Sequence, residues 1–109
     1  DRLTPWEVIE KRLACAAQGD FALALYNPSS KGRPDYLRRA VDVLLANGKA
    51  PDTLCGSVRN IGREGQEKRI LPLSQIRDTE VDMFTTVFVG NAATRALSGR
   101  MVTPRGYRR

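Results

Sequence analysis

Histidine is absent from the 109 residues. That excludes Ser-His-Asp and Cys-His catalysis within the chain, and every histidine-ligated metal. The two cysteines, Cys15 and Cys55, stand far apart with no Cys-x-x-Cys spacing, so neither a disulfide framework nor a zinc site is expected. No apolar run approaches the roughly 18 residues that a bilayer span needs; the longest is Phe21 to Tyr26. A secretory n-region and h-region are also missing. The chain has no phosphate cradle: Gly62-Arg63-Glu64-Gly65 lacks the spacing and strand-to-helix context of G-x-G-x-x-G, and no Gly-Lys-Ser/Thr occurs. Aromatic residues make up 6%, too few for a base-stacking platform. The carboxylates are scattered, so a glycosidase-like acid and base find no support. A cytoplasmic protein without membrane spans or metal is expected.

What remains is ordinary for one globular domain: 41% hydrophobic and 28% charged residues in 12.1 kDa. At this size roughly two-thirds of the unfolded surface can be buried, enough for one layered core. The net charge of +6 invites a nucleic-acid reading. Its distribution weakens that reading. All twelve acids lie at or before Asp82, where thirteen basic residues nearly balance them, and the excess comes from Arg95, Arg100, Arg105, Arg108 and Arg109. The body is therefore almost neutral and carries a basic tail, either a solvated terminus or an anion-binding surface. The chain opens on Asp1 rather than Met and reaches a helix start by residue 4, which reads as an excerpt from a longer protein.

Thr4-Pro5-Trp6-Glu7 has the form of a capping box, with Pro5 at the first helical position and Leu3 and Val8 as a hydrophobic staple. Trp6, Ile9, Leu13, Ala16 and Ala17 then recur at helical spacing up to Gly19. Phe21 to Tyr26 is apolar on both faces, which predicts a strand in the middle of a sheet between helices. A second helix is expected from about Pro34 to Asn47, with Leu37, Val41, Leu44 and Leu45 inward and Gly48 as its stop. A strand from about Thr53 to Arg59 completes a βαβ crossover. Gly62 to Gly65 reads as a turn and Glu67 to Leu71 as the returning antiparallel strand. Leu73 to Met83 predicts a helical turn or two, and Phe84 to Val89 a strand. Beyond Ala92 the pattern is weak until a short edge segment at Met101 to Pro104. The sum is an α/β layered domain with a mixed sheet of four to five strands flanked by helices.

A βαβ unit presents its ligand site at the carboxyl ends of the parallel strands. Those ends are Tyr26-Asn27-Pro28 and Val58-Arg59-Asn60, and an antiparallel final strand brings Thr85 and Thr86 to the same rim. Two asparagines, two threonine hydroxyls and backbone amides would converge there without a strong acid or base. That suits a neutral polar group such as a nucleoside; the alternative is that Asn27 and Asn60 only cap loops.

Six strings carry a more specific signal. They are Leu3-Thr-Pro-Trp-Glu-Val-Ile-Glu10, Gly19-Asp-Phe-Ala-Leu-Ala-Leu-Tyr-Asn-Pro28, Ser30-Lys-Gly-Arg-Pro34, Val58-Arg-Asn-Ile-Gly-Arg63, Thr85-Thr-Val-Phe-Val-Gly-Asn91 and Gly99-Arg-Met-Val-Thr-Pro-Arg-Gly-Tyr107. In this order, over nearly the whole chain, they resemble the precorrin-3B carbon-17 methyltransferases of the tetrapyrrole methylase family, enzymes of cobalamin and thus porphyrin-type biosynthesis. The resemblance implies a two-domain enzyme of which residues 1–109 are the C-terminal domain, the N-terminal domain being absent from this chain. It implies transfer of a methyl group from S-adenosylmethionine to carbon 17 of precorrin-3B, or its cobalt form, with ring contraction. The fragment alone is expected to be inactive and the full protein to be a homodimer.

Carried onto matching positions, the resemblance assigns cofactor binding to Tyr26, Asn27, Asn60, Ile61, Thr85 and Thr86. Relatives often have Met where Asn27 stands and Asn-Gly where Asn60-Ile61 stands, so backbone contacts are what it implies there. The substrate bears many carboxylates, and Lys31, Arg33, Arg59 and Arg63 could pair with them or be ordinary surface cations. No catalytic residue is assigned. The alternative from a different class is a non-enzymatic nucleic-acid or anion-binding module that uses the arginine-rich tail.

Overall fold

A computed structural model describes residues 5–26, 35–62, 64–79, 81, 84–97 and 100–103. The first helix, α1 (Trp6–Gln18), lays Ile9, Leu13 and Ala17 into the core, the stripe that helical spacing predicts. Its start differs from the capping-box expectation. Pro5 is extended (φ −60°, ψ 149°) and occupies the cap itself, and its carbonyl accepts from the Val8 and Ile9 amides at 3.1 and 3.3 Å. Thr4 and Leu3 lie outside the described residues. The second helix, α2 (Tyr36–Ala46), buries Leu37, Ala40, Val41 and Leu44. It stops as expected at Gly48, whose φ of +106° favours glycine.

The strands are β1 (Leu23–Tyr26), β2 (Leu54–Arg59), β3 (Glu67–Pro72) and β4 (Thr85–Val89), with one helical turn, α3 (Leu73–Ile76), between β3 and β4. They form one sheet in the order β1-β4-β2-β3. Every ladder in it is antiparallel. β1 and β2 do run in a common direction, as the βαβ reading requires, but β4 lies between them. The parallel component of the expected mixed sheet survives only in that shared direction.

This order corrects the placement of β1. It is an edge strand, not a central one. Its apolar run looked two-sided because Leu23 and Leu25 share a face with the core residues Val89 and Val87 of β4, while Ala24 and Tyr26 belong to the other face. Phe21 and Ala22 precede the strand and are exposed. A hairpin of β5 (Arg95–Leu97) and β6 (Arg100–Val102) follows β4; only its second half was foreseen.

The core lies on one side of the sheet. Leu25, Cys55, Val87 and Val89 meet α1, α2 and the α3 residues Leu73 and Ile76 in a single buried cluster. The two helices point their N-termini to the same end, where Trp6 meets Tyr36 edge-on at 5.9 Å and the Arg39 guanidinium sits 4.1 Å over the Trp6 ring. At their other ends Gln18 Nε2 donates to Asn47 Oδ1 at 3.0 Å. No described helix is long and apolar enough to cross a membrane.

Candidate functional site

The rim forms where β1 and β2 end and β4 begins. Tyr26 stands opposite Thr86 in the β1–β4 ladder, and Arg59 and Val58 stand opposite Thr85 and Thr86 in the β2–β4 ladder. The strand directions inferred from the sequence therefore bring Tyr26, Arg59, Asn60, Ile61, Thr85 and Thr86 to one end of the sheet. Asn27, Lys31, Arg33 and Arg63 lie outside the described residues.

The pleat divides this set. Directly opposed residues share a face and successive residues alternate. Tyr26, Thr86 and Val58 thus occupy the face away from the helices, while Thr85 and Arg59 occupy the helix side, with Glu67 of β3 opposite Arg59. The expected convergence of two threonine hydroxyls fails for this reason. Both threonines are buried, Thr85 at 3% and Thr86 at 8% exposure, but they look to opposite sides of the sheet. Tyr26 is 68% exposed and Ile61 53%.

Local chemistry fixes the turn after β2. Asn60 adopts a left-handed conformation, φ 57°, which asparagine tolerates better than most residues. Its amide donates to the Phe84 carbonyl at 3.1 Å and so ties the end of β2 to the start of β4. The Gly62 amide donates to Gln66 Oε1 at 2.8 Å, and Gly62 and Gly65 are both left-handed. The backbone at Asn60 is therefore held firmly, and its side chain lies near Gly65. This rim combines an exposed aromatic ring, an exposed aliphatic side chain and a buried hydroxyl, with no acid among the residues named for the cofactor. It can offer one wall to a ligand with an apolar flat part and hydroxyl groups.

Two features were not named from the sequence. Phe84, half exposed, supplies the carbonyl that anchors Asn60. Lys68 of β3 stands opposite Val58 and extends the Tyr26–Thr86–Val58 row across the sheet; the sequence places it only within the returning antiparallel strand from Glu67 to Leu71. As for the basic tail, Arg95 Nη1 donates to the Ala92 and Thr94 carbonyls, both at 2.9 Å, so that guanidinium is engaged with its own loop.

No protein-family model matches the chain. Its fold is that of one part of a methyltransferase: the crystal structure of the methyltransferase CobJ matches with a TM-score of 0.83 and 41% identity, over 95% of this chain and 43% of that one. The sequence comparison agrees. The chain is a homologue of the cobalt-factor III and precorrin-3B C(17)-methyltransferases. It is 47% identical over 107 residues to a probable cobalt-factor III C(17)-methyltransferase of Salmonella typhimurium, covering 98% of this chain and 44% of that protein. It is 37% identical over 112 residues to a precorrin-3B C(17)-methyltransferase of a Sinorhizobium species, again covering 98% and 44%. The cobalamin biosynthesis protein CbiHC of Archaeoglobus fulgidus matches at 47% over 107 residues, 98% of this chain and 23% of that protein. The chain thus spans less than half the length of these curated relatives. None of the three is named as a nucleic-acid-binding module, so the alternative reading gains no support.

Proposed function

We infer that this chain is the C-terminal part of an S-adenosylmethionine-dependent methyltransferase that methylates carbon 17 of precorrin-3B or cobalt-factor III, with ring contraction, in cobalamin biosynthesis. The observation that carries this reading is the 37–47% identity, over nearly the whole chain, to enzymes of that name. The rest of the enzyme, an N-terminal domain, would supply the second wall of the cleft. A cytoplasmic homodimer is the form proposed for the full protein.

The residues present fit one wall of a nucleoside site. Tyr26 and Ile61 would flank the adenosyl group, and the Thr86 hydroxyl, nearly buried, would hydrogen-bond a polar edge of it. Asn60 and its neighbours would offer backbone groups from a turn fixed by the Phe84 carbonyl. Asn27 completes the proposed set, and Thr85, whose side chain is buried on the helix side, would take part through its backbone alone. Bound there, S-adenosylmethionine supplies an electrophilic methyl group on sulfur. The chain's own task is alignment rather than proton transfer, which suits a rim without histidine. Arg59, with Lys31, Arg33 and Arg63, would receive substrate carboxylates.

The reading is tested with the full-length protein, isotopically labelled S-adenosylmethionine and the tetrapyrrole. Label in the product is expected, and none would overturn the assignment. Thr86→Val should raise the KM for S-adenosylmethionine about tenfold, the loss of one hydrogen bond of about 1.4 kcal/mol. An unchanged value removes Thr86 from the site. Arg59→Ala should raise the KM for the tetrapyrrole instead.

A further inference from the structure

Residues 60–66 lead from β2 to β3. Three of them, Asn60, Gly62 and Gly65, are left-handed, at φ 57°, 74° and 83°. Two of the three are glycines, which visit many conformations at little cost, so a fixed shape here has to come from specific bonds. Two such bonds hold the first half of the turn. The Asn60 amide donates to the Phe84 carbonyl at 3.1 Å, main chain to main chain. The Gly62 amide donates to Gln66 Oε1 at 2.8 Å, main chain to side chain. Ile61 stands between these two pins. Its side chain is 53% exposed, so the backbone on either side of it sets its position more than packing does. Packing does not hold Gly62 either: among the described residues nothing lies within 4 Å of where a Cβ on it would stand.

Of the two pins, only the second depends on which side chain is present. Gln66 immediately precedes β3, whose Glu67 is in register with Arg59 of β2. Its main chain is thereby tied to the sheet, and its carboxamide reaches back over the turn from a rigid base. Resting on the methyltransferase reading above, in which Ile61 lines the cofactor wall, we propose that Gln66 is a positioning residue for S-adenosylmethionine. It touches no reactant; its carboxamide oxygen holds the Gly62 amide, so that Ile61 and the Asn60 backbone stand ready at the rim before the cofactor arrives. Without that acceptor the turn visits other shapes, and only a fraction of the molecules can bind at any moment. The apparent dissociation constant then rises by the inverse of that fraction. A bound cofactor selects the ordered turn, so turnover at saturation is preserved. The effect is therefore confined to cofactor affinity.

The test uses the full-length protein with Gln66→Ala and Gln66→Glu, the second keeping an Oε acceptor on a chain of the same length. Gln66 is exposed, so both variants should fold. Steady-state methyl transfer gives KM and kcat, calorimetric titration gives the Kd for S-adenosylhomocysteine, and thermal melting follows stability. Gln66→Ala should raise the S-adenosylmethionine KM and the S-adenosylhomocysteine Kd about fivefold. Its kcat and tetrapyrrole KM should stay within about twofold, and Gln66→Glu should return both cofactor constants to within about twofold of wild type. Unchanged cofactor constants in Gln66→Ala overturn the proposal, as does a rise that Gln66→Glu fails to reverse. A fall in kcat together with a lowered melting temperature also counts against it, because the bond would then serve the fold rather than the cofactor. If the wild type transfers no methyl group yet binds S-adenosylhomocysteine, the activity reading fails alone and the titration still decides the role of Gln66. If it neither transfers nor binds, the methyltransferase reading fails and takes this proposal with it.

Discussion

Asp20 uses both carboxylate oxygens at the end of the sheet opposite the rim. Oδ1 accepts from Lys49 Nζ at 2.8 Å, and Oδ2 accepts from the Ala92 amide at 2.9 Å. Lys49 Nζ also donates to the Phe21 carbonyl at 2.9 Å, so one ion pair joins three connections. The hydrogen bond from Lys49 and then that from Ala92 hold the Asp20 carboxyl below its ordinary 3.8. Its stabilisation is therefore full above that value and fades as the pH falls through the lowered one. The two partners are unequally exposed, 0% for the Lys49 side chain and 44% for Asp20. Asp20→Asn leaves a buried ammonium without its counter-charge and should cost about 3 kcal/mol. Lys49→Met leaves a carboxylate that water can reach and should cost only about 1 kcal/mol. Urea titrations of both variants, with wild type at pH 7 and pH 3, check the order and its loss in acid. Thiol chemistry divides in a similar way. Burial pushes Cys55 up to about 12, whereas Cys15 is exposed. At pH 8 an alkylating reagent should modify Cys15 within minutes and spare Cys55 until the protein unfolds, as peptide mass spectrometry would show.

Among the elements, α2 shows most directly how pattern becomes stability. Leu44 is fully buried between helix and sheet, and Leu44→Ala should lower unfolding free energy by about 3 kcal/mol. Gly48→Ala, at φ +106° with open space around it, should cost about 1 kcal/mol from backbone strain alone. Thermal melts of the two variants check both values. These elements were readable because period 3.6 and period 2 each leave a stripe: Ile9, Leu13 and Ala17 on α1, and Val87 and Val89 on β4. Where three or four residues carry the whole signal, periodicity cannot decide. Arg95-Ala96-Leu97 has no alternation to read, and β5 went unseen. Leu23 to Tyr26 fits an edge as well as a centre. The rim was legible from strand direction, but the split between Thr85 and Thr86 follows from the pleat, and Lys68 enters only through the β2–β3 register.

At the scale of the whole molecule the sheet order is decisive. β4 is bonded on both sides, to β1 and to β2, while among the described residues no strand pairs with the outer edge of β1. Amide exchange should therefore be slowest at Val87 and its β2 partners, and faster in β1; a hydrogen-exchange series by NMR or mass spectrometry checks this. β4 is also the last of the four to be synthesised. Leu23 finds its ladder partner, Val89, in the final quarter of the chain, and until residues 85–89 leave the ribosome β1 has no neighbour in the sheet at all. The α1–β1 portion, its strand unpaired, and the β2–β3 hairpin, its inner edge open, must wait with apolar surface exposed for the strand that joins them. Time spent in that open state, rather than the strength of any finished contact, is where this architecture is most exposed to aggregation.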